Sequence, residues 1–122
     1  MSGSYLLDTN VFINAIRHGV RLPLASYSYS VITELELLSF PGLPSEEEAS
    51  IRSILRSMTR IELGDDIKDE VIRVRRGTRM KLPDSIISAS AIVTSATLVM
   101  DDAKMVSQHA GDVVSLDALV NR

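Results

Sequence analysis

The sequence lacks the residues on which several kinds of small protein depend. It has no cysteine and only two histidines, His18 and His109, among 122 residues. This excludes a disulfide scaffold, a cysteine nucleophile and a zinc site built from Cys and His. With three Tyr, two Phe and no Trp, the chain also has few rings on which the bases of a single strand could stack. The absence of cysteine fits a reducing compartment, and we expect a cytoplasmic protein.

Long apolar runs are missing as well. The longest stretch without a charged residue, 85–100, is rich in Ser, Thr and Ala and is too short to span a bilayer. The N-terminus has no basic region followed by an apolar one, so we expect neither a membrane span nor a signal peptide. A chain of this length, 45% hydrophobic with a net charge of −3, is expected to form a single domain over 1–122, with residues 1–4 disordered.

Short apolar runs alternate with segments of helical periodicity along the chain. Ser45 and Glu48 have the spacing of a capping box in front of the third helix. Strands that are separated by helices favour an α/β protein, in which a parallel sheet is covered on both faces. The predicted strands are 5–7, 60–63, 97–100 and 113–116, and the predicted helices are 11–17, 31–39, 46–58, 65–76, 83–95 and a short one from 101.

Acidic residues lie at the ends of the predicted strands and within neighbouring helices. Each has an ordinary explanation as a helix cap or as a partner of the helix dipole. Residues just past the C-terminal ends of parallel strands, however, converge on one crevice, where several carboxylates repel each other unless protons or a hard cation neutralise them. Oxygen ligands favour Mg²⁺ or Mn²⁺, and such a site suits the activation of water against a phosphodiester. The acids are Asp8, Glu34, Glu36, Asp84, Asp101 and Asp102.

Positive charge is concentrated in residues 71–83, which hold five bases and no acid. Two interpretations of this segment stay open. It is either the C-terminus of a helix, where cations complement the dipole, followed by a solvated loop, or a patch that contacts the phosphates of a nucleic acid. The residues are Arg73, Arg75, Arg76, Arg79 and Lys81.

Four segments resemble, in the same order, the motifs of the PIN-domain ribonucleases. Tyr5–Ile13 is similar to the opening strand and its Asp-Thr-Asn turn, and Ser30–Leu38 is similar to the Ser-x-x-Thr-x-x-Glu-Leu helix. Leu82–Ala91 resembles the Leu-Pro-Asp helix, and Thr97–Met105 resembles the last strand with its acidic end. The length of the chain and the residues within the motifs most resemble the VapC-type toxins of bacterial toxin–antitoxin pairs.

The resemblance implies a fold and an activity. The fold would be a three-layer α/β/α sandwich around a parallel sheet. The activity would be the Mg²⁺- or Mn²⁺-dependent cleavage of tRNA, ribosomal RNA or mRNA by a metal-activated water. The resemblance also implies a homodimer that a small antitoxin protein inhibits.

The four acids that bind metal in the family can be carried over one by one. Asp8 matches the first acid and Asp84 the third. The second lies three residues after a threonine, so Thr33 selects Glu36 rather than its neighbour in the same helix. The fourth belongs to a Thr-x-Asp pattern and falls on Asp102. These four residues are therefore the expected metal ligands and catalytic residues.

The main departure from the family is Met100, which stands where the Thr of the Thr-x-Asp pattern is expected. A methionine cannot offer a hydroxyl to metal or phosphate, so weak activity, or Asp101 as the fourth ligand, stays open. Asn10 is expected to orient the site or the substrate. Thr9 and Ser30 are expected to support the ligands or to cap helices.

Two other functions are compatible with parts of the pattern. A PIN fold that binds RNA or protein without cutting is one, because of Met100. A phosphoacceptor receiver domain is the other, but it requires an acidic pair after the first strand and a strand between the helices of 31–58. The sequence has only one acid directly after the first strand, Asp8, and no strand is predicted between the two helices of 31–58.

Overall fold

The computed structural model describes residues 3–121 and places all its strands in one parallel sheet. The spatial order is β3-β2-β1-β4-β5, so that β1 lies in the middle and the chain turns back between β3 and β4. The strands are β1 (Ser4–Leu7), β2 (Ser26–Ser30), β3 (Thr59–Ile61), β4 (Thr97–Val99) and β5 (Val113–Val114).

Helices connect these strands and cover both faces of the sheet. Parallel strands are joined by right-handed crossovers, and the chain moves one way from β1 to β3 and the other way from β3 to β5. The two sets of helices therefore lie on opposite faces, which confirms the predicted α/β/α sandwich. The helices are α1 (Thr9–Arg17), α2 (Val31–Leu38), α3 (Ser45–Arg56), α4 (Asp65–Gly77), α5 (Leu82–Thr94), α6 (Ala103–Gln108) and α7 (Leu116–Val120).

Strand β2 was not predicted, because its sequence, Ser-Tyr-Ser-Tyr-Ser, lacks the Val and Ile typical of a buried parallel strand. Partners on β1 compensate for this lack. The Ser28 hydroxyl donates to the Tyr5 carbonyl at 3.2 Å, and the ring of Tyr27 stacks on that of Tyr5 with centroids 5.8 Å apart. Hydrogen bonding and aromatic packing thus replace aliphatic burial as the reason for this strand.

The structure differs from the sequence predictions at three local features. The capping box at the start of α3 does not form: Pro44 is the N-cap, Ser45 is already helical, and the Glu48 carboxylate accepts from Arg52 at 3.0 Å. Helix α7, only five residues long, was not predicted. Ser4 belongs to β1 and the Gly3 carbonyl accepts from the Ser26 amide, so these two residues are not disordered, while residues 1 and 2 of that prediction lie outside the described residues.

The core brings β1, β4 and α5 together. Leu6, Leu98 and Val99 are fully buried, and α5 packs across β1, β2 and β4 with a face of small residues. At the ends of the two central strands, the Asp8 amide donates to the Val99 carbonyl at 3.0 Å. The strand order reverses between β1 and β4, which is where parallel sheets form a crevice. No helix within residues 3–121 is long and apolar enough to cross a membrane.

Candidate active site

Asp8 occupies the centre of the crevice. It directly follows β1 and caps α1, where its Oδ2 accepts from the Asn10 amide at 3.2 Å. Only 6% of the residue is exposed. Burial, followed by the negative charges of Asp84 and Glu36, raises the pKa of the Asp8 carboxyl to about 6, although the amides of Asn10 and Thr9 favour the charged form. This carboxylate is therefore held where its charge is unfavourable.

Asp84 is brought to the same crevice by the first turn of α5. Partial burial raises the pKa of its carboxyl, and the charges of Asp102 and Glu36 raise it further, while the ammonium group of Lys81 acts in the opposite direction. The charge of Asp84 in turn helps to raise the pKa of Asp8. Asp84 is thus within electrostatic reach of Glu36 and Asp102, and its charge acts on Asp8, so that it links the four acids expected from the sequence.

Glu36 reaches the crevice from α2 and is held there by a neighbouring helix. The Thr9 hydroxyl at the start of α1 donates to Glu36 Oε1 at 2.7 Å, and the Thr33 hydroxyl lies 2.9 Å from Thr9 Oγ1. Glu34 points away from the crevice and accepts from Arg60 at 3.2 Å. The sequence had assigned Thr33 no role beyond selecting Glu36. The only signal for its role was its spacing of three residues from Glu36, which places the two side chains on one face of α2.

The two consecutive acids after β4 have different partners. Asp102 caps α6 and accepts from the Met105 amide at 3.1 Å, and its charge acts on Asp84. The carboxylate of Asp101 accepts from the Leu116 amide at 3.0 Å and so fixes the start of α7. Met100 is 1% exposed and contributes to the core. The geometry therefore groups Asp102 with the other acids and gives Asp101 a structural partner.

The remaining predicted site residues have backbone roles. Ser30 is fully buried and caps α2, with its hydroxyl accepting from the Ile32 amide at 3.1 Å, as the sequence predicted. Asn10 contacts Asp8 through its backbone amide, and its residue is exposed. An orienting role for the Asn10 side chain stays a prediction.

The basic segment begins on α4 and ends beside the acids. The Arg73 guanidinium is paired with Glu70 within α4. The backbone amide of Arg79 donates to the Gln108 side chain at 2.8 Å, which ties the following loop to α6. Lys81 is close enough to affect the Asp84 carboxyl. Arg75 and Arg76 lie exposed in the last turn of α4.

The two histidines have structural settings. His18 is exposed at the C-terminus of α1. His109 is buried, its Nδ1 lies 2.6 Å from the Ser88 hydroxyl, and burial lowers the pKa of its ring.

The chemistry of the acids fits a hard divalent cation. All four candidate ligands are carboxylates, and the two whose pKa is raised have that shift in part from the charges of the others. Among residues 3–121, no three Asp, Glu or His side chains are already arranged to hold a metal ion.

Fold and site define an α/β protein with an acidic crevice at the reversal of a parallel sheet. The chain belongs to the PIN domain family, since residues 5–110 match the model of that domain. This confirms the resemblance found in the sequence and decides against a receiver domain. No curated protein matches the sequence significantly.

Solved structures of similar fold include toxin–antitoxin complexes. A chain of such a complex from Klebsiella pneumoniae is 25% identical with a TM-score of 0.76, the match covering 90% of this chain and 95% of that one. A chain of VapBC2 from Rickettsia felis, bound to a promoter DNA fragment, is 19% identical (TM-score 0.79; 93% and 99% covered). A chain of DNA-bound VapBC from Salmonella typhimurium is 18% identical (TM-score 0.77; 94% and 98% covered).

Asp8 should make the stability of the metal-free protein depend on pH. Its pKa is about 6 in the folded chain against an ordinary value of 3.8, so the folded state binds the extra proton between these values. The contribution of Asp8 to the free energy of unfolding is therefore largest below about pH 4 and is lost as the pH rises through about 6. Asp8→Asn should remove this fall and raise the free energy of unfolding at pH 7.5 by about 1–3 kcal/mol.

Urea unfolding in chelator across pH 4–8 measures this effect. Asparagine also caps helices well, so the substitution isolates the charge. The matched control is Asp69→Asn, which removes one negative charge from the exposed face of α4. Equal pH profiles for the wild type and Asp8→Asn would contradict a raised pKa at Asp8.

Proposed function

We propose that the protein is a Mg²⁺- or Mn²⁺-dependent endoribonuclease, and that it serves as the toxin of a toxin–antitoxin pair. The observation that carries the proposal is the gathering of Asp8, Glu36, Asp84 and Asp102 at the carboxyl ends of β1 and β4 in a PIN domain. The similar VapBC complexes support the toxin role. The substrates would be tRNA, ribosomal RNA or mRNA.

The residues of the crevice have distinct tasks in this reaction. Asp8, Glu36, Asp84 and Asp102 would hold the cation, with Asp8 as the buried member and Thr9 fixing the orientation of Glu36. A divalent cation lowers the pKa of water and neutralises charge that develops on a phosphate. Because protons compete for Asp8 below about pH 6, cation binding should weaken as the solution becomes acidic. Lys81, beside Asp84, would contact an RNA phosphate.

Asp84→Asn should lower RNA cleavage at least about 100-fold, on the order of 3 kcal/mol of barrier. The reason is that it removes a ligand while an amide fits the same space. It should also reduce the rise in melting temperature on adding Mn²⁺, which in the wild type should be several degrees near saturation. Cleavage of a labelled RNA and thermal unfolding with and without Mn²⁺ measure both effects.

Asp102→Asn should behave like Asp84→Asn, and Asp101→Asn is the matched control. Asp101 is the neighbouring acid, and its bond to the Leu116 amide can be kept by an asparagine oxygen. If Asp101→Asn abolished cleavage while Asp102→Asn did not, the fourth ligand would be wrongly assigned. If none of these variants changed cleavage, the assignment of the whole metal site would be wrong.

The basic segment should contribute to RNA affinity if it faces the bound strand. Each phosphate contact to a single strand adds about 0.7 to the slope of log affinity against log salt. Replacing Arg75, Arg79 and Lys81 with Gln should therefore flatten the slope by up to about 2 units. Affinity is measured without divalent cation, so that cleavage does not interfere.

A control with the same change of charge removes Arg52, Arg56 and Lys68, which lie on α3 and α4 outside the segment. An equal flattening by the control would show a general charge effect. An unaltered slope in the first variant would return the segment to its structural interpretation, a solvated helix end.

A small antitoxin is the partner that the similar complexes suggest. A groove of about 590 Å³ runs between α1, α2 and α3 and reaches Glu36. Six of its lining residues are apolar, and one arginine and three glutamates give it charge of both signs. This surface fits an amphipathic segment, which would cover the crevice when seated there. The groove is lined by Ile13, Ile16, Arg17, Glu36, Leu37, Phe40, Leu43, Glu46, Glu47, Ser50 and Ile51.

We further propose a homodimer. Leu35, Ile72 and Leu82 are each about half exposed on α2, α4 and α5, and α5 packs against the other two helices. Sedimentation at tens of micromolar should give about twice the chain mass of 13.4 kDa. Ile72→Lys should shift it toward the monomer, whereas Leu24→Lys, at a fully exposed position, should not. A monomeric wild type would contradict the proposal.

A PIN domain that binds RNA without cutting is the second candidate, and Met100 is the observation that favours it. Position 100 carries a buried core side chain where the family motif has a hydroxyl. RNA binding with no cleavage in either Mg²⁺ or Mn²⁺ would support this candidate over the active enzyme.

A further inference from the structure

The buried hydroxyl of Thr33 differs from the other hydroxyls of the helices. Ser and Thr inside helices commonly bond the carbonyl four residues earlier, and Ser85, Ser90 and Thr94 do so in α5. Thr33 is fully buried in α2, yet its hydroxyl lies against Thr9 of α1 instead, 24 residues away in sequence, at 2.9 Å. Within the described residues this is the one side-chain hydrogen bond of Thr33.

The chemistry of the two hydroxyls fixes the direction of this bond. The Thr9 hydroxyl has a single proton, which it donates to Glu36 Oε1 at 2.7 Å. In the bond between the two threonines, Thr9 must therefore accept and Thr33 must donate. The result is a directed chain of hydrogen bonds from Thr33 to Thr9 to Glu36, which leaves α2, crosses to α1 and returns to α2.

We infer that Thr33 is a positioning residue that holds Glu36, through Thr9, in the orientation in which it receives the cation; this inference rests on the proposed function. Glu36 is exposed, so without support its side chain would sample several rotamers. The chain of bonds occupies Oε1 and leaves Oε2 without a hydrogen-bond partner among the described residues. Anchoring on a buried threonine gives the exposed carboxylate a rigid support.

The test measures the binding of Mn²⁺ alone by calorimetry at pH 7.5. Thr33→Val keeps the shape and removes the hydroxyl, and should raise the dissociation constant about 10-fold, as the loss of a group that orients a ligand does. Thr33→Ser restores the hydroxyl and should bind within about 3-fold of the wild type. The control is Ser90→Ala, which removes a buried hydroxyl that bonds only its own helix.

A second measurement needs no metal. The ¹³C resonance of the Glu36 carboxyl, recorded in chelator, should move in Thr33→Val and return toward the wild-type position in Thr33→Ser. If Thr33→Val does not fold, Thr9→Val removes the middle bond at a half-buried position and should give the same two results.

The outcomes separate this inference from the proposed function. Unchanged Mn²⁺ affinity in Thr33→Val, or equal losses in Thr33→Val and Thr33→Ser, would overturn the positioning role. If the wild type binds no Mn²⁺, the metal site of the proposed function fails, and the carboxyl resonance alone decides whether the chain of bonds holds Glu36. An unmoved resonance would overturn the inference in that case as well.

Discussion

A buried negative charge, that of Asp8, is the constraint on which the organisation of this protein depends. The carboxylate lies where the order of the parallel strands reverses and is only 6% exposed. A buried charge is unfavourable unless it is paired or hydrogen bonded. Here the amide of Asn10 is the neighbour with the largest effect and favours the charged form, but it and the Thr9 amide offset only part of the effect of burial and of the charges of Asp84 and Glu36. The metal-free fold is thus destabilised at the place where its chemistry would occur, which is a common relation between stability and function.

Two of the four acids are held by backbone hydrogen bonds, and none of the four forms a salt bridge among the described residues. Asp8 and Asp102 are N-caps of α1 and α6, and each uses one carboxylate oxygen for a helix amide. An N-cap contributes about 1 kcal/mol to a helix, and it also fixes the direction of the side chain. A basic partner at the same position would have neutralised the charge that a cation needs. Glu34, by contrast, lies outside the crevice and forms a salt bridge with Arg60.

Much of this arrangement could be predicted from the sequence, because it is local. The caps at Asp8, Ser30 and Asp102 and the periodicity of the long helices depend on residues a few positions apart. Convergence of the acids followed from the rule that parallel strands end at one edge.

Strand β2 could not be predicted in this way, since its Ser and Tyr residues find their partners on β1, more than twenty residues away. The predicted capping box failed for a local reason, because Glu48 pairs with Arg52, one helical turn later. The support of Glu36 by Thr33 was hidden because it passes through Thr9, a residue of another helix.

Close packing of α5 on the sheet explains how Asp84 reaches the other acids. Ser85, Ser88, Ala89 and Ala91 are all fully buried, and small side chains let a helix backbone approach the strands beneath it. A helix with larger residues on this face would stand farther from β1 and β4 and would carry its first turn away from Asp8. Met100 fits the same logic, since a long apolar side chain at the end of β4 fills core volume that a threonine would leave empty. The departure from the family motif at this position is therefore accounted for by packing, while the four carboxylates keep their common crevice.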